Sequence, residues 1–242
     1  MVKTNYIIAC WSGKRRLQNP RYNSNPAYYL TQHLNALKEI DTSALSQITL
    51  VINENNPEPP LFTQAITAVP TEINNVPVHI LRRPNIGMSY GAWVHAFQTF
   101  PPPKFKYAIV MEDDYMPSHS NMIQELITEI KRETSPPTAY VCSYFKKTVP
   151  CHPAHAAISN GIINLSLLQE KNLLTLPYSD SKSNDYGSNE EKGQVGQSQA
   201  MINANLKVRD YIDRFSSPFM QANGQIVIYG DPQFPSLIKP VV

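Results

Sequence analysis

The sequence predicts an α/β fold: one domain with a mostly parallel central sheet and helices on both of its faces. Three observations predict it. Short, continuous apolar runs alternate with stretches of helical periodicity, as crossover-connected parallel strands require. Proline clusters such as Pro57-Glu58-Pro59-Pro60 and Pro101-Pro102-Pro103 fall between those stretches and act as stops. The 242 residues suffice for a full core without demanding a second domain.

Asn5 to Cys10 (NYIIAC) reads as a strand buried on both faces. A polar loop follows, ending in Asn25-Pro26, a cap with proline at the first helical position. Ala27, Leu30, Leu34 and Leu37 then recur at helical spacing. Ile48 to Ile52 is the second strand, Phe62 to Val69 a short helix and Val78 to Leu81 the third strand. Trp93, Ala96, Phe97 and Phe100 form a helical stripe opening past Gly87 and Gly91. Tyr107 to Met111 is the fourth strand, and Ile123, Leu126, Ile127 and Ile130 mark a helix capped by Ser118 or Ser120. Later, Ala139 to Tyr144 reads as a strand, Asn164 to Asn172 as a capped helix and Ile226 to Tyr229 as a late strand. Ser179 to Gln199 contains no Ile, Leu, Met, Phe or Trp, so a mobile loop or lid is expected there. Met201, Ala204, Val208, Tyr211, Ile212 and Phe215 restore helical periodicity.

Composition excludes several classes of function. Lys and Arg total 21 against 19 Asp and Glu, and a balance so close to neutral disfavours a nucleic-acid partner. The longest apolar runs fall well short of a bilayer span, and Met1-Val2-Lys3-Thr4 leads directly into a strand rather than a signal sequence. A soluble, unprocessed cytoplasmic chain is therefore expected. Three cysteines, Cys10, Cys142 and Cys151, lack metal-type spacing and suit a reducing compartment. His152 and His155, with a proline between them, read as loop histidines.

Glu112-Asp113-Asp114 follows the fourth strand immediately. Neighbouring like charges repel by about 1 to 4 kcal/mol per pair at surface-like dielectric, a penalty that a cation removes. Hard Mn2+ or Mg2+ ions take carboxylate oxygens and commonly complete their shell with substrate phosphates. If the chain continues extended, Glu112 and Asp114 share a face and Asp113 opposes them. The alternative is that the acids cap the next helix or face solvent. Ligands of parallel sheets bind at the carboxyl ends of strands, which favours the cation.

The run Tyr107-Ala-Ile-Val-Met-Glu-Asp-Asp-Tyr-Met-Pro-Ser resembles the strand and acidic "DxD" turn of GT-A glycosyltransferases, with Glu112 in place of the usual first aspartate. Ile48-Thr-Leu-Val-Ile-Asn-Glu-Asn-Asn is similar to that superfamily's second strand. Val78-His-Ile-Leu-Arg-Arg-Pro-Asn-Ile-Gly-Met-Ser-Tyr-Gly-Ala-Trp is similar to its "N-x-G" stretch. The resemblance covers roughly residues 5 to 130. It implies a GT-A-like, Rossmann-type sheet in one domain, with residues 1–133 as the nucleotide-sugar-binding half. Residues 134–242 would be the acceptor-binding half, carrying the mobile loop 179–199. It implies a metal-dependent hexosyltransferase that uses a nucleotide-sugar donor, UDP-sugar being the commonest. The acceptor would be a hydroxyl of a glycan, glycoconjugate or small molecule. Asp114 and Glu112 would bind the Mn2+ or Mg2+. Cys10, Trp11, Arg15, Asn53, Glu54, Arg83, Asn85, Gly87, Glu112 and Asp113 would surround the donor. Glu190, Glu191 or Asp185 would be the acceptor-side base of an inverting enzyme. A sugar-phosphate nucleotidyltransferase shares the sheet order and the metal, but calls for a glycine-rich loop after the first strand, where only Gly13 stands. A non-catalytic nucleotide-sugar-binding module is the third alternative.

Overall fold

The computed structural model describes residues 3–12, 25–54, 57–146, 153–180, 189–211, 219–221, 225–228 and 237–240. Arg15, Cys151, His152 and Asp185, and the side chain of Glu190, lie outside the described residues.

Four parallel strands form the centre: β1 (Thr4–Trp11), β2 (Gln47–Glu54), β4 (Val76–Pro84) and β5 (Tyr107–Glu112). They lie in the order β4-β2-β1-β5, and a two-residue strand β3 (Glu72–Ile73) runs antiparallel on the outer edge of β4. Between them lie the crossover helices α1 (Tyr28–Lys38), α2 (Pro60–Thr67) and α3 (Met88–Thr99). Past β5 come a short strand β6 (Tyr115–Pro117) and α4 (Met122–Ile130). The chain then adds β7 (Thr138–Lys146), β8 (His155–Asn164), α5 (Leu165–Glu170), a π-helix Asn189–Val195, α6 (Gly196–Asn203) and β9 (Lys207–Asp210). The main sheet runs β3-β4-β2-β1-β5-β8-β7-β9, with β8 antiparallel to both β5 and β7 and β9 parallel to β7. A second sheet, β12-β11-β10-β6, joins Phe219–Gln221 (β10), Gln225–Ile228 (β11) and Leu237–Pro240 (β12) to β6.

The continuous apolar runs are explained by burial on both sides. Tyr6, Ile8 and Cys10 face one core with Leu30 and Leu37 of α1, Phe62 of α2 and Leu126 of α4. Ile7 and Ala9 face the other, with Trp93 and Phe97 of α3, Leu168 of α5 and Met201 of α6. Cys10 and Cys142 are buried. No helix among the described residues is long and apolar enough to cross a membrane.

Several boundaries differ from expectation. Asn25 is not the cap of α1: the helix starts at Tyr28 with Ala27 as its N-cap and no capping side chain, and the bond from the Ala27 N–H to Asn25 Oδ1 at 2.9 Å closes a turn just before it. Asn121, not Ser118 or Ser120, is the N-cap of α4, and its side chain makes no capping bond. His155 is a buried strand residue and not a loop histidine. The helix expected from Met201 to Phe215 stops at Asn203, because Asn205 turns into the left-handed region at φ 58°. Beyond it Leu206 and Val208 are buried two residues apart, the period of a strand. In the expected loop, residues 189–199 are helical and anchored. Val195 and two polar residues, Gln197 and Ser198, are buried there. Polar side chains do this through bonds that apolar periodicity does not reveal: Ser198 Oγ accepts the Ala156 N–H at 3.0 Å and Gln199 Nε2 donates to the Ala154 carbonyl at 2.6 Å.

Candidate functional site

The order β4-β2-β1-β5 means that the chain moves outward from β1 through β2 to β4, then crosses back to start β5 on the other flank of β1. The strands reverse direction of progress between β1 and β5, where an open α/β sheet forms its ligand crevice. Register aligns the ends of the strands in one row: Trp11 is opposite Asn53, Asn53 opposite Arg83, and Ala9 opposite Glu112. The residues picked out in sequence at the ends of these four strands therefore converge on one edge.

The acidic turn is held from several directions. Glu112 ends β5 and is half-buried, while Asp113 and Asp114 are buried residues of the turn leading into β6. That corrects the assumption of extended backbone, so strand alternation does not govern where the three side chains point. Asp113 is the tether: its N–H donates to the Ala9 carbonyl at 3.1 Å, and its Oδ2 accepts the Trp11 N–H at 3.3 Å. Behind it, His33 Nδ1 meets the Asp113 carbonyl at 3.4 Å and Nε2 meets the Tyr6 hydroxyl at 3.0 Å. Burial lowers the His33 pKa from 6.5 to about 4 despite that carbonyl, and it raises the Tyr6 hydroxyl well above its ordinary value. A neutral imidazole between a phenol and a carbonyl satisfies both neighbours without adding charge beneath the carboxylates.

Two residues that sequence reasoning missed grip Glu112. Ser89 Oγ donates to Glu112 Oε1 at 2.7 Å, and Asn160 Oδ1 accepts the Glu112 N–H at 2.9 Å. The β5–β8 ladder reaches only Val110 opposite Gly161, so the buried Asn160 carboxamide takes over where backbone pairing stops. A signal was present: Asn160 is a polar residue inside the apolar strand run before Asn164. His33 likewise sits on the Leu30–Leu34–Leu37 stripe, where a polar residue needs buried partners.

Other expected donor contacts are committed elsewhere. The Cys10 thiol faces the core, with its Sγ 3.6 Å from the Ile8 carbonyl. Asn53 is buried, with Oδ1 accepting from Arg83 Nη1 at 2.8 Å and Nδ2 donating to the Met88 carbonyl at 3.3 Å. Arg83 also donates to the Ile86 carbonyl at 2.7 Å, and its Cζ lies 5.9 Å from the centre of the Tyr178 ring. Its pKa is lowered chiefly by burial. Asn53 and Arg83 thus brace the bend into α3. Glu54 is exposed, 3.5 Å from Arg82. Asn85 has a buried Oδ1 with no hydrogen-bond partner among the described residues. Gly87 is the α3 N-cap at φ 71°, and a Cβ there would lie 2.4 Å from the Tyr178 ring. Glycine is required on both counts. Gly193 of the π-helix is required for the second reason alone, since a Cβ would lie 2.3 Å from the Tyr90 ring. The turn carrying Glu190 and the exposed Glu191 is thereby laid against the first turn of α3, where Ser89 contacts Glu112. Among the described residues no group of three or more His, Cys, Asp or Glu side chains forms a ready-made metal cage.

No protein-family model matches the chain, and no curated protein matches it. Solved structures do. The chain is similar to the mannosyltransferase PcManGT from Pyrobaculum calidifontis, in complex with GDP-Man and Mn2+, with 9% identity and a TM-score of 0.52 over 86% of this chain and 54% of that one. It is also similar to S. aureus TarS 1-349 in complex with UDP, with 12% identity and a TM-score of 0.50 over 88% of this chain and 59% of that one. The chain therefore spans little more than half the length of either. Likeness at such identities is one of architecture, and it bears out the sequence resemblance at that level: the chain has the GT-A-like fold of nucleotide-sugar glycosyltransferases.

Proposed function

We propose that the chain is a glycosyltransferase that moves a sugar from a nucleotide-diphosphate sugar to a hydroxyl acceptor, with a divalent cation on the diphosphate. One observation carries this: the acidic turn Glu112-Asp113-Asp114 lies at the carboxyl end of β5, next to β1, where the sheet reverses its order. The GDP-Man and Mn2+ in PcManGT and the UDP in TarS support a nucleotide-sugar donor, with a UDP-sugar as first choice.

The donor set fits a hard cation. Glu112 and Asp114 supply carboxylate oxygens only. Mn2+ and Mg2+ are commonly held by one or two carboxylates plus substrate phosphates, so a preformed cage of three protein ligands is not needed. When bound, the cation supplies Lewis-acid stabilisation of the charge developing on the leaving diphosphate. The chain's own residues do the remainder. Asp113 fixes the turn to β1 through Trp11, and Trp11, half-buried at the strand end, offers an indole face to the base. Asn85 Oδ1, buried and without a hydrogen-bond partner among the described residues, is an acceptor that a donor hydroxyl would satisfy. An acid of the π-helix, Glu190 or Glu191, or Asp185 before it, takes the proton from the acceptor hydroxyl in an inverting reaction.

Incubation with UDP- and GDP-sugars and Mn2+ tests this. A transferase hydrolyses its donor slowly in the absence of acceptor, and EDTA stops the hydrolysis. Products that depend on pyrophosphate would instead identify a nucleotidyltransferase, and thermal stabilisation without turnover a binding module.

A further inference from the structure

Asn160 holds the end of β5 with only half of its carboxamide. A backbone N–H can only donate, so the atom that accepts the Glu112 N–H at 2.9 Å must be the oxygen Oδ1, and the amide nitrogen Nδ2 occupies the other limb of the planar group. Asn160 is buried, and Nδ2 has no hydrogen-bond partner among the described residues. A buried donor left unmatched costs about 1 to 3 kcal/mol, so a group that meets it gains accordingly. Register sets its place. β8 runs antiparallel to β5 with Gly161 opposite Val110, so Asn160 lies one step beyond that rung, toward the carboxyl end of β5 and the acidic turn. The acids of the turn offer only carboxylate oxygens, which repel a diphosphate and engage it through a cation. Asn160 Nδ2 is a neutral donor beside them, suited to an oxygen that can only accept.

The row of strand ends runs β2, β1, β5, β8. A nucleotide with its base against Trp11 on β1 and its phosphates at the end of β5 directs the phosphate furthest from the base toward β8. We propose that Asn160 is a diphosphate-binding residue: its Nδ2 donates a hydrogen bond to an oxygen of the nucleotide's β-phosphate, directly and without the cation. This deepens the transferase reading of the acidic turn and rests on it. One side chain then ties the backbone of the turn, through Oδ1, to the phosphate that the turn holds, through Nδ2.

Titration of the full chain with UDP against UMP, and in parallel GDP against GMP, each in Mn2+ and again in EDTA, tests this. Asn160→Ala is expected to weaken affinity for whichever diphosphate the wild type binds about tenfold, in Mn2+ and in EDTA alike, while the matching monophosphate stays within about twofold of wild type. A side chain that merely held Glu112 in place would act through the cation, and the effect of its removal would vanish in EDTA. Asn160→Asp keeps the size of the side chain and the acceptor of the Glu112 N–H but replaces the donor. It is expected to retain the wild-type urea midpoint and still to lose about tenfold or more of the diphosphate affinity in EDTA, and it carries the test should the alanine variant not fold. Wild-type diphosphate affinity in EDTA for either variant, an equal loss for the monophosphate, or a wild type that binds the diphosphate no more tightly than the monophosphate in EDTA would overturn the inference while leaving the transferase reading in place. Failure of the wild type to bind either diphosphate with Mn2+ would overturn that reading and this inference together.

Discussion

The four parallel strands and the segment from Thr138 to Tyr211 hold the same sheet together by different means. In β1, β2, β4 and β5 the ladders run without interruption, and β1 is packed on both faces by apolar helices. In the later segment the β7–β8 and β7–β9 pairings shift register, a π-helix runs directly into α6, and polar side chains close the gaps to the backbone. The difference teaches where each kind of stability resides. The first region depends on apolar burial and a few buried polar groups that must stay neutral, and the second depends on individual hydrogen bonds.

The largest effect that sharpens this contrast is expected from pH. The His33 pKa is about 4 in the folded chain against 6.5 for the free side chain. Above pH 6.5 both states are neutral and nothing is lost. As pH falls from 6.5 toward 4 the unfolded chain takes up a proton that the folded chain refuses, and stability drops. The total is about 3 kcal/mol, at about 1.4 kcal/mol per pH unit. Urea unfolding of wild type and His33→Gln across that window should show the steeper decline in wild type. Parallel curves would place the neutral imidazole outside the stability of the parallel region.

A smaller loss is expected in the later segment. Ser198→Ala removes two hydrogen bonds, the one its hydroxyl accepts from the Ala156 N–H and the one it donates to the Gln194 carbonyl. This costs about 2 kcal/mol, with no dependence on pH between 4 and 6.5. An unchanged urea midpoint would show that apolar packing holds this segment too.

The same contrast explains what the sequence disclosed. Asn5 to Cys10 and Tyr107 to Met111 are legible because burial on both faces demands an unbroken apolar run, and the position of the acidic turn at the end of the fourth strand is legible because it follows that run directly. Within the expected loop, the described residues 189–199 were not legible as helix, because Ser198 and Gln199 anchor by hydrogen bonds that carry no periodic signature. Leu206 and Val208 misled because three or four residues of alternation are easily absorbed into a helical stripe that Asn205 in fact terminates. At the site, the ends of the strands could be placed by the sheet rule. The partners of each side chain could not: that Asn53 and Arg83 spend themselves on the bend into α3, and that Ser89 and Asn160 hold Glu112, depends on contacts across 30, 23 and 48 residues of chain.

The most direct measurement of the central claim is a calorimetric titration of nucleoside diphosphate into Asp114→Asn, with and without Mn2+. The substitution keeps the size of the side chain and removes its charge. The expected result is a folded protein with wild-type far-ultraviolet circular dichroism whose Mn2+-dependent binding is gone. Mn2+-dependent affinity equal to that of the wild type would contradict the assignment of the acidic turn as the place where the chain holds a cation and, through it, a sugar donor.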